Sequence, residues 1–344
     1  MKRISKIFLT HLHGDHVFGL PGLMCTMSQA KGGDDIEAEV EKTNEKDNEK
    51  DNEQEKEKES ISQDQKPSLE IIGPPGTREY IRMSLLLSQS QLSYLYTVTE
   101  LHSSIVEKKD VPLHPSERPG LDLIGENSIW NWETEEGGGL KLFATSIAHT
   151  VSCLGFVINT LEQPGKLTPE TILPHLERNA AELKKQGVSN VKSLLSKVKA
   201  GETLSLPDGT IIRPEDHIGV PKKGKKVVIL GDTSDPSKIV PLAMDCDLVI
   251  HESTLAKLSN ETSKTFEDVE KLAKERGHST PQMAGQFAKL LNSKTLILTH
   301  FSQRYKGDGS EESLKVIKEI IELAKTEFQG EIVAASDLMS FQIK

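Results

Sequence analysis

Six residues near the amino terminus, His11-Leu12-His13-Gly14-Asp15-His16, bring three imidazoles and a carboxylate into one short stretch. Histidines two apart on an extended segment point to the same side. The Asp-His pair that follows, on a tightening loop, can turn toward a second point a few ångströms away, so one loop can serve two metal ions. Zinc accepts both imidazole nitrogen and carboxylate oxygen, and paired metals about 3.5–4 Å apart can share a hydroxide and clamp a phosphodiester. These residue types at this spacing point to a metal-dependent hydrolase.

The elements that must position such a cluster are legible around it. Residues 4–10 read as a strand running into the cluster, and residues 17–27 as a helix beginning over it. Residues 69–73 read as a strand and 77–89 as an amphipathic helix, separated by Pro74, Pro75 and Gly76. Residues 140–148 and 154–160 form a strand pair around His149. Residues 227–230 lead into Gly231-Asp232-Thr233, 248–250 into His251 and Glu252, and 295–299 into His300. Short apolar strands thus repeatedly end at an acid or a histidine, which is how an α/β scaffold gathers polar groups at one sheet edge. His102, His114, His175 and His217 have no such setting and are expected to be ordinary surface or loop residues.

Composition narrows the class. With 344 residues the chain has ample length for a buried core. It contains no uncharged apolar run of about 18 residues, and its first ten residues are too short for a signal peptide, so neither membrane insertion nor secretion is indicated. Cys25, Cys153 and Cys246 are scattered without CxxC pairing and read as reduced packing residues. An intracellular protein fits, with cytoplasm, nucleus and organelle matrix equally open. The net charge of −10 is misleading: residues 34–64 hold 14 acids against 5 lysines and account for −9 of it. Residues 31–66 are expected to be an acidic, disordered insertion, so global acidity says little about the substrate.

The six-residue cluster resembles the signature of the metallo-β-lactamase fold, and the later pieces resemble ribonuclease Z, the endonuclease that removes 3′ trailers from precursor tRNA. Those pieces are residues 146–156 (SIAHTVSCLGF), Gly231-Asp232-Thr233, 247–254 (DLVIHEST), 277–280 (GHST) and 298–305 (LTHFSQRY). The resemblance implies an α/β architecture, an αββα sandwich over residues 1–344, acting as a zinc phosphodiesterase that leaves a 3′-hydroxyl on tRNA and a 5′-phosphate on the trailer. It implies that His11, His13 and His149 hold one zinc, that Asp15, His16 and His300 hold the second, and that Asp232 bridges them. Manganese is a possible substitute. Asp15 would also orient the hydroxide, His278 would protonate the departing ribose oxygen, and Glu252 would fix the charge and tautomer of His278. His251 is expected to support the site without ligating. By the same analogy the protein is expected to be a homodimer.

Residues 165–226 are longer than a strand connection needs. The resemblance implies a protruding tRNA-binding arm there, with Lys184, Lys185, Lys192, Lys197 and Lys199 available to phosphates. A glycine-proline tip, usual in the family, is not evident in residues 187–195. The fold normally carries several strands before the histidine cluster, and here ten residues precede it, so those strands are expected to be lacking, one sheet face uncovered and the isolated protein poorly stable. Two rival functions remain. Another hydrolase of the same fold, acting on a small phosphodiester or ester, would not need the arm, and a catalytically inactive RNA-binding or scaffold form would not need stoichiometric metal.

Overall fold

Alternation of side chains along the strands decides how the sheets stack in this computed structural model. It describes residues 4–28, 67–104, 111–134, 139–162 and 165–343, and the expected acidic insertion at 31–66 lies outside the described residues. The chain divides into two compact units, one of residues 1–132, 142–158 and 226–344, the other of residues 133–141 and 159–225.

In the first unit a five-stranded sheet contains β1 (Lys6–Phe8), β2 (Leu69–Gly73), β3 (Tyr96–His102), β4 (Glu117–Arg118) and β5 (Asp122–Ile124). Its order is β1-β2-β3-β4, with β5 also paired to β3, and every pairing is parallel. A seven-stranded sheet contains β6 (Ile129–Thr134), β7 (Leu140–Ile147), β8 (Cys153–Thr160), β9 (Lys226–Leu230), β10 (Leu248–Glu252), β11 (Thr295–Thr299) and β12 (Glu331–Ala334). Its order is β12-β11-β10-β9-β8-β7-β6.

Successive residues of β2 and β8 go to opposite layers. Ile72 of β2 joins Leu101, Ala144, Leu154 and Phe156 in a core between the sheets, where Phe8 packs edge-on against Phe156 at 5.5 Å. Its neighbour Ile71 faces the other way, onto Ile81 and Leu85 of α1 (Thr77–Leu87). From β8, Cys153 and Val157 face a third core with Leu296 and Leu298 of β11. That core is closed by two more helices, α2 (Pro281–Leu290) and α3 (Glu311–Lys325). They approach closely at Gly285, where an added Cβ would lie 2.6 Å from the Ala324 carbonyl oxygen. The layers are therefore helix, sheet, sheet, helix, the sandwich expected from the sequence.

Several boundaries differ from expectation. The strand expected over residues 4–10 is confined to Lys6–Phe8. The helix expected from residue 17 begins inside the cluster as a single turn, Gly14–Val17, and resumes at residue 20, where Pro21 suits a first helical turn. His251 and Glu252 do not follow their strand but end it, because the parallel partner extends far enough to pair His251 with Leu298 and Glu252 with Thr299. His102 and His114 are not surface residues, at 7% and 4% exposure. His114 lies buried because its Nε2 bonds the Ser90 carbonyl oxygen at 2.9 Å while its Nδ1 accepts from the Ser116 amide.

The second unit has its own core. Ile172 and Leu176 from the helix Pro169–Arg178, Leu183 from Ala180–Lys185 and Val198 from Leu194–Lys199 pack with Leu206 and Ile212. A short hairpin pairs Leu204–Ser205 with Ile211–Ile212. All five lysines named above are exposed on this unit. Among the described residues no helix is long and apolar enough to cross a membrane.

Candidate metal centre

Every sequence-selected site residue belongs to the first unit, and most leave the end of a strand or the loop just beyond it. The loop after β1 carries His11, His13, Asp15 and His16. His149 lies between β7 and β8, Asp232 follows β9, Glu252 closes β10, and His300 follows β11 with a left-handed φ of 54°. His278 sits between the helix Phe266–Glu275 and α2.

These residues converge. Ligand-type atoms of His11, His13, His149 and Asp232 lie within 4.8 Å of one another, as do those of Asp15, His16 and His300. The Oδ2 of Asp232 is 3.8 Å from His11 Nε2, 3.6 Å from His16 Nε2 and 3.3 Å from His300 Nε2, so it faces both groups. His149 Nε2 and His13 Nδ1 are 3.1 Å apart, and His300 Nε2 is 3.2 Å from Asp15 Oδ2. Bonds of about 2.0–2.2 Å to one ion would separate tetrahedral ligands by roughly 3.3–3.6 Å, so these spacings suit a cation at the centre. His11 Nε2 and His16 Nε2 are buried and accept or donate no hydrogen bond. Buried ring nitrogens are normally paired, and a cation would satisfy both. The donor set fits a divalent metal.

A ring of outer contacts fixes which nitrogen each imidazole offers. The Nδ1–H of His149 donates to the Gly277 carbonyl oxygen at 2.7 Å and that of His300 to the Thr254 hydroxyl at 2.8 Å, while His11 Nδ1 lies 3.2 Å from Thr10 Oγ1. Each contact engages Nδ1 and turns Nε2 toward the centre. Thr254 also donates to Glu252 Oε2, tying the ligand-type His300 to the Glu252 carboxylate. Thr254 and Gly277 stand in the HEST and GHST segments but carry no chemistry that would single them out. Thr10 offers no sequence signal beyond adjoining His11.

Electrostatics follow from this crowding. Burial, with the charge of His16 next, lowers His11 to about 3, so it is neutral and ligand-ready at neutral pH. Burial works to raise Asp232, yet His16 and His300 overcome it and hold the carboxyl down at about 2. The Asp232 carboxylate in turn raises His16. His278 Nδ1 is 3.1 Å from both Glu252 oxygens, and that contact raises the His278 pKa against the opposing effect of burial. The Glu252 carboxylate also accepts the amides of Thr233 and Ser279, which anchor it. His251 is buried against Phe287, its Nδ1 held by the Glu252 carbonyl oxygen at 2.8 Å.

Comparison with known proteins follows the same outline. The family model described as the metallo-beta-lactamase superfamily matches residues 2–139. The zinc phosphodiesterase ELAC protein 1 of Bos taurus is 34% identical, the match covering 99% of this chain and 84% of that protein. Ribonuclease Z of Bacillus subtilis is 31% identical, over 94% of this chain and 77% of its own. The crystal structure of human tRNase Z, short form, is 27% identical, covers 99% of this chain and 80% of that one, and superposes with a TM-score of 0.48. With 34% identity carried through nearly its whole length and His/Asp groups suited to a divalent metal, the chain belongs to the ribonuclease Z family of the metallo-β-lactamase superfamily.

Proposed function

We propose that this protein is a zinc-dependent endoribonuclease that removes the 3′ trailer from precursor tRNA and leaves a 3′-hydroxyl on the tRNA. The observation that carries the reading is the convergence of two ligand-type groups on Asp232 beside the hydrogen-bonded pair His278 and Glu252. The names of its relatives, a zinc phosphodiesterase and a ribonuclease Z, support the substrate class.

In this reading His11, His13 and His149 would hold one zinc and Asp15, His16 and His300 the other, with Asp232 facing both groups of ligands. When bound, the ions supply an acidic water near neutral pH and positive charge to offset that of the scissile phosphate. The chain's own residues do the rest. Asp15, whose Oδ2 faces His300, orients the attacking water. Glu252 takes the Nδ1–H of His278, so the His278 Nε2 carries the proton that the leaving ribose oxygen requires. Lysines of the second unit contact RNA phosphates, and a homodimer completes the assembly.

The test is incubation of purified protein and a divalent metal with a 3′-extended precursor tRNA, beside Asp15→Ala and a small phosphodiester. Release of the trailer by the wild type alone supports the proposal. Turnover of the small phosphodiester without release of the trailer would assign the chain to the small-substrate hydrolases, and metal binding without either activity to a scaffold.

A further inference from the structure

A second set of ligand-type residues lies on the outer face of the five-stranded sheet. Glu100 and His102 are two apart on β3 and so leave the same face, the one Val98 presents to the core beneath α1. The register of β5 on β3 places Asp122 directly opposite Glu100. Two carboxylates facing each other on neighbouring strands repel unless a cation joins them.

One cation is already there. Arg78 of α1 places Nη1 2.7 Å from Asp122 Oδ1 and 3.7 Å from Glu100 Oε2, while its Nη2 donates to the Val98 and Leu121 carbonyl oxygens, each at 3.0 Å. The Arg78 amide donates to Glu100 Oε1 at 2.8 Å, which fixes that carboxylate. The guanidinium lies against both carboxylates, and His102 faces both as well.

His102 is the informative member. Its side chain is 8% exposed, yet neither ring nitrogen makes a hydrogen bond. Its Nε2 is aimed into the group, 3.4 Å from Glu100 Oε2 and 3.7 Å from Asp122 Oδ1, and the three ligand atoms lie within 4.8 Å of one another. These are spacings of ligands around an ion rather than of hydrogen-bond partners. We propose that Glu100, His102 and Asp122 form a further divalent-metal site, separate in its residues from the group around Asp232, with Arg78 holding the two carboxylates in place. One imidazole nitrogen and two carboxylate oxygens suit zinc, cobalt or manganese better than calcium or magnesium. The adjacent guanidinium repels the ion, so this site fills after the one around Asp232, and its occupancy clamps β5 to β3.

The test uses the full chain, stripped with a chelator, then equilibrated with excess zinc and dialysed before metal analysis. His102→Gln and Asp122→Asn are each expected to hold one equivalent fewer than the wild type, with the equivalents at the Asp232 group retained. Because Asp122 is partly exposed, Asp122→Asn remains informative should the buried substitution fail to fold. Crystals of the wild type grown with zinc are expected to show an anomalous peak between Glu100, His102 and Asp122 at the zinc edge. Equal metal content in wild type and both variants, or peaks at the Asp232 group with none here, would overturn the proposal.

Discussion

At His278 the carboxylate of Glu252 decides when the ring is charged. Its pKa is raised by that contact, so the protonated form persists above the usual imidazole range and is lost only as pH climbs through the raised value. Activity that needs this proton therefore has an alkaline limb. Glu252→Gln, which removes the charge, is expected to move that limb to lower pH, read from the pH profile of kcat. His278→Ala is expected to lower kcat by about 10²–10⁴-fold, typical for a positioned general acid, while bound metal is unchanged. A His278→Ala variant that loses metal instead would recast the residue as a ligand, a role its 3.8 Å distance from Asp232 leaves open to test. The roles expected of His278 and Glu252 come from the family resemblance, whereas the cluster at residues 11–16 could be read from residue type and spacing, because imidazoles and carboxylates so gathered have few other uses. Thr10, Thr254 and the carbonyl of Gly277 could not, since a hydroxyl or a backbone oxygen orients a ligand only once the fold has brought the two together.

Among the elements, the loop at Gly277 carries the sharpest constraint. Its φ is 75°, and an added Cβ would lie 2.6 Å from His149 Nδ1. Gly277→Ala is expected to cost about 1–2 kcal/mol through backbone conformation. It should also weaken metal binding by about 10–100-fold through the displaced His149 ring, measured by chelator competition. Gly187 gives the control, because its φ is 88° but nothing lies within 4 Å of the added atom. Gly187→Ala should share the backbone cost and leave metal affinity alone. In the buried strand Thr295–Thr299, Leu296→Ala is expected to destabilise by about 2–5 kcal/mol, seen as a lower urea midpoint. The apolar runs of these strands made them readable in advance. The burial of His102 was not, because it depends on the register that sets Glu100 against Asp122, and register is a property of two strands rather than of one.

For the molecule as a whole, the proposed function assigns RNA contact to the second unit and chemistry to the first. Its lysines at 184, 185, 192, 197 and 199 are exposed, and Lys185 pairs with Glu182 at 2.7 Å, so the other four are the better candidates for phosphates. Replacing those four by alanine should weaken precursor tRNA binding and flatten its salt dependence, by about 0.7–0.9 in the log–log slope for each phosphate no longer neutralised. Turnover of a small phosphodiester should not change. Equal losses on both substrates would place the effect in folding rather than in RNA binding. The acidic bias of residues 34–64 is likewise a property of one segment, which is why a net charge of −10 does not conflict with an RNA substrate.

The most direct measurement is end-mapping of a precursor tRNA cut by protein stripped of metal and then reloaded with zinc. The expected result is no cleavage by the stripped protein and, after reloading, one cut that leaves a 3′-hydroxyl on the tRNA and a 5′-phosphate on the trailer. Undiminished cleavage without metal would contradict the metal dependence, and products ending in a 2′,3′-cyclic phosphate would mean that the ribose 2′-hydroxyl and not water attacks the phosphate; either result would contradict the assignment.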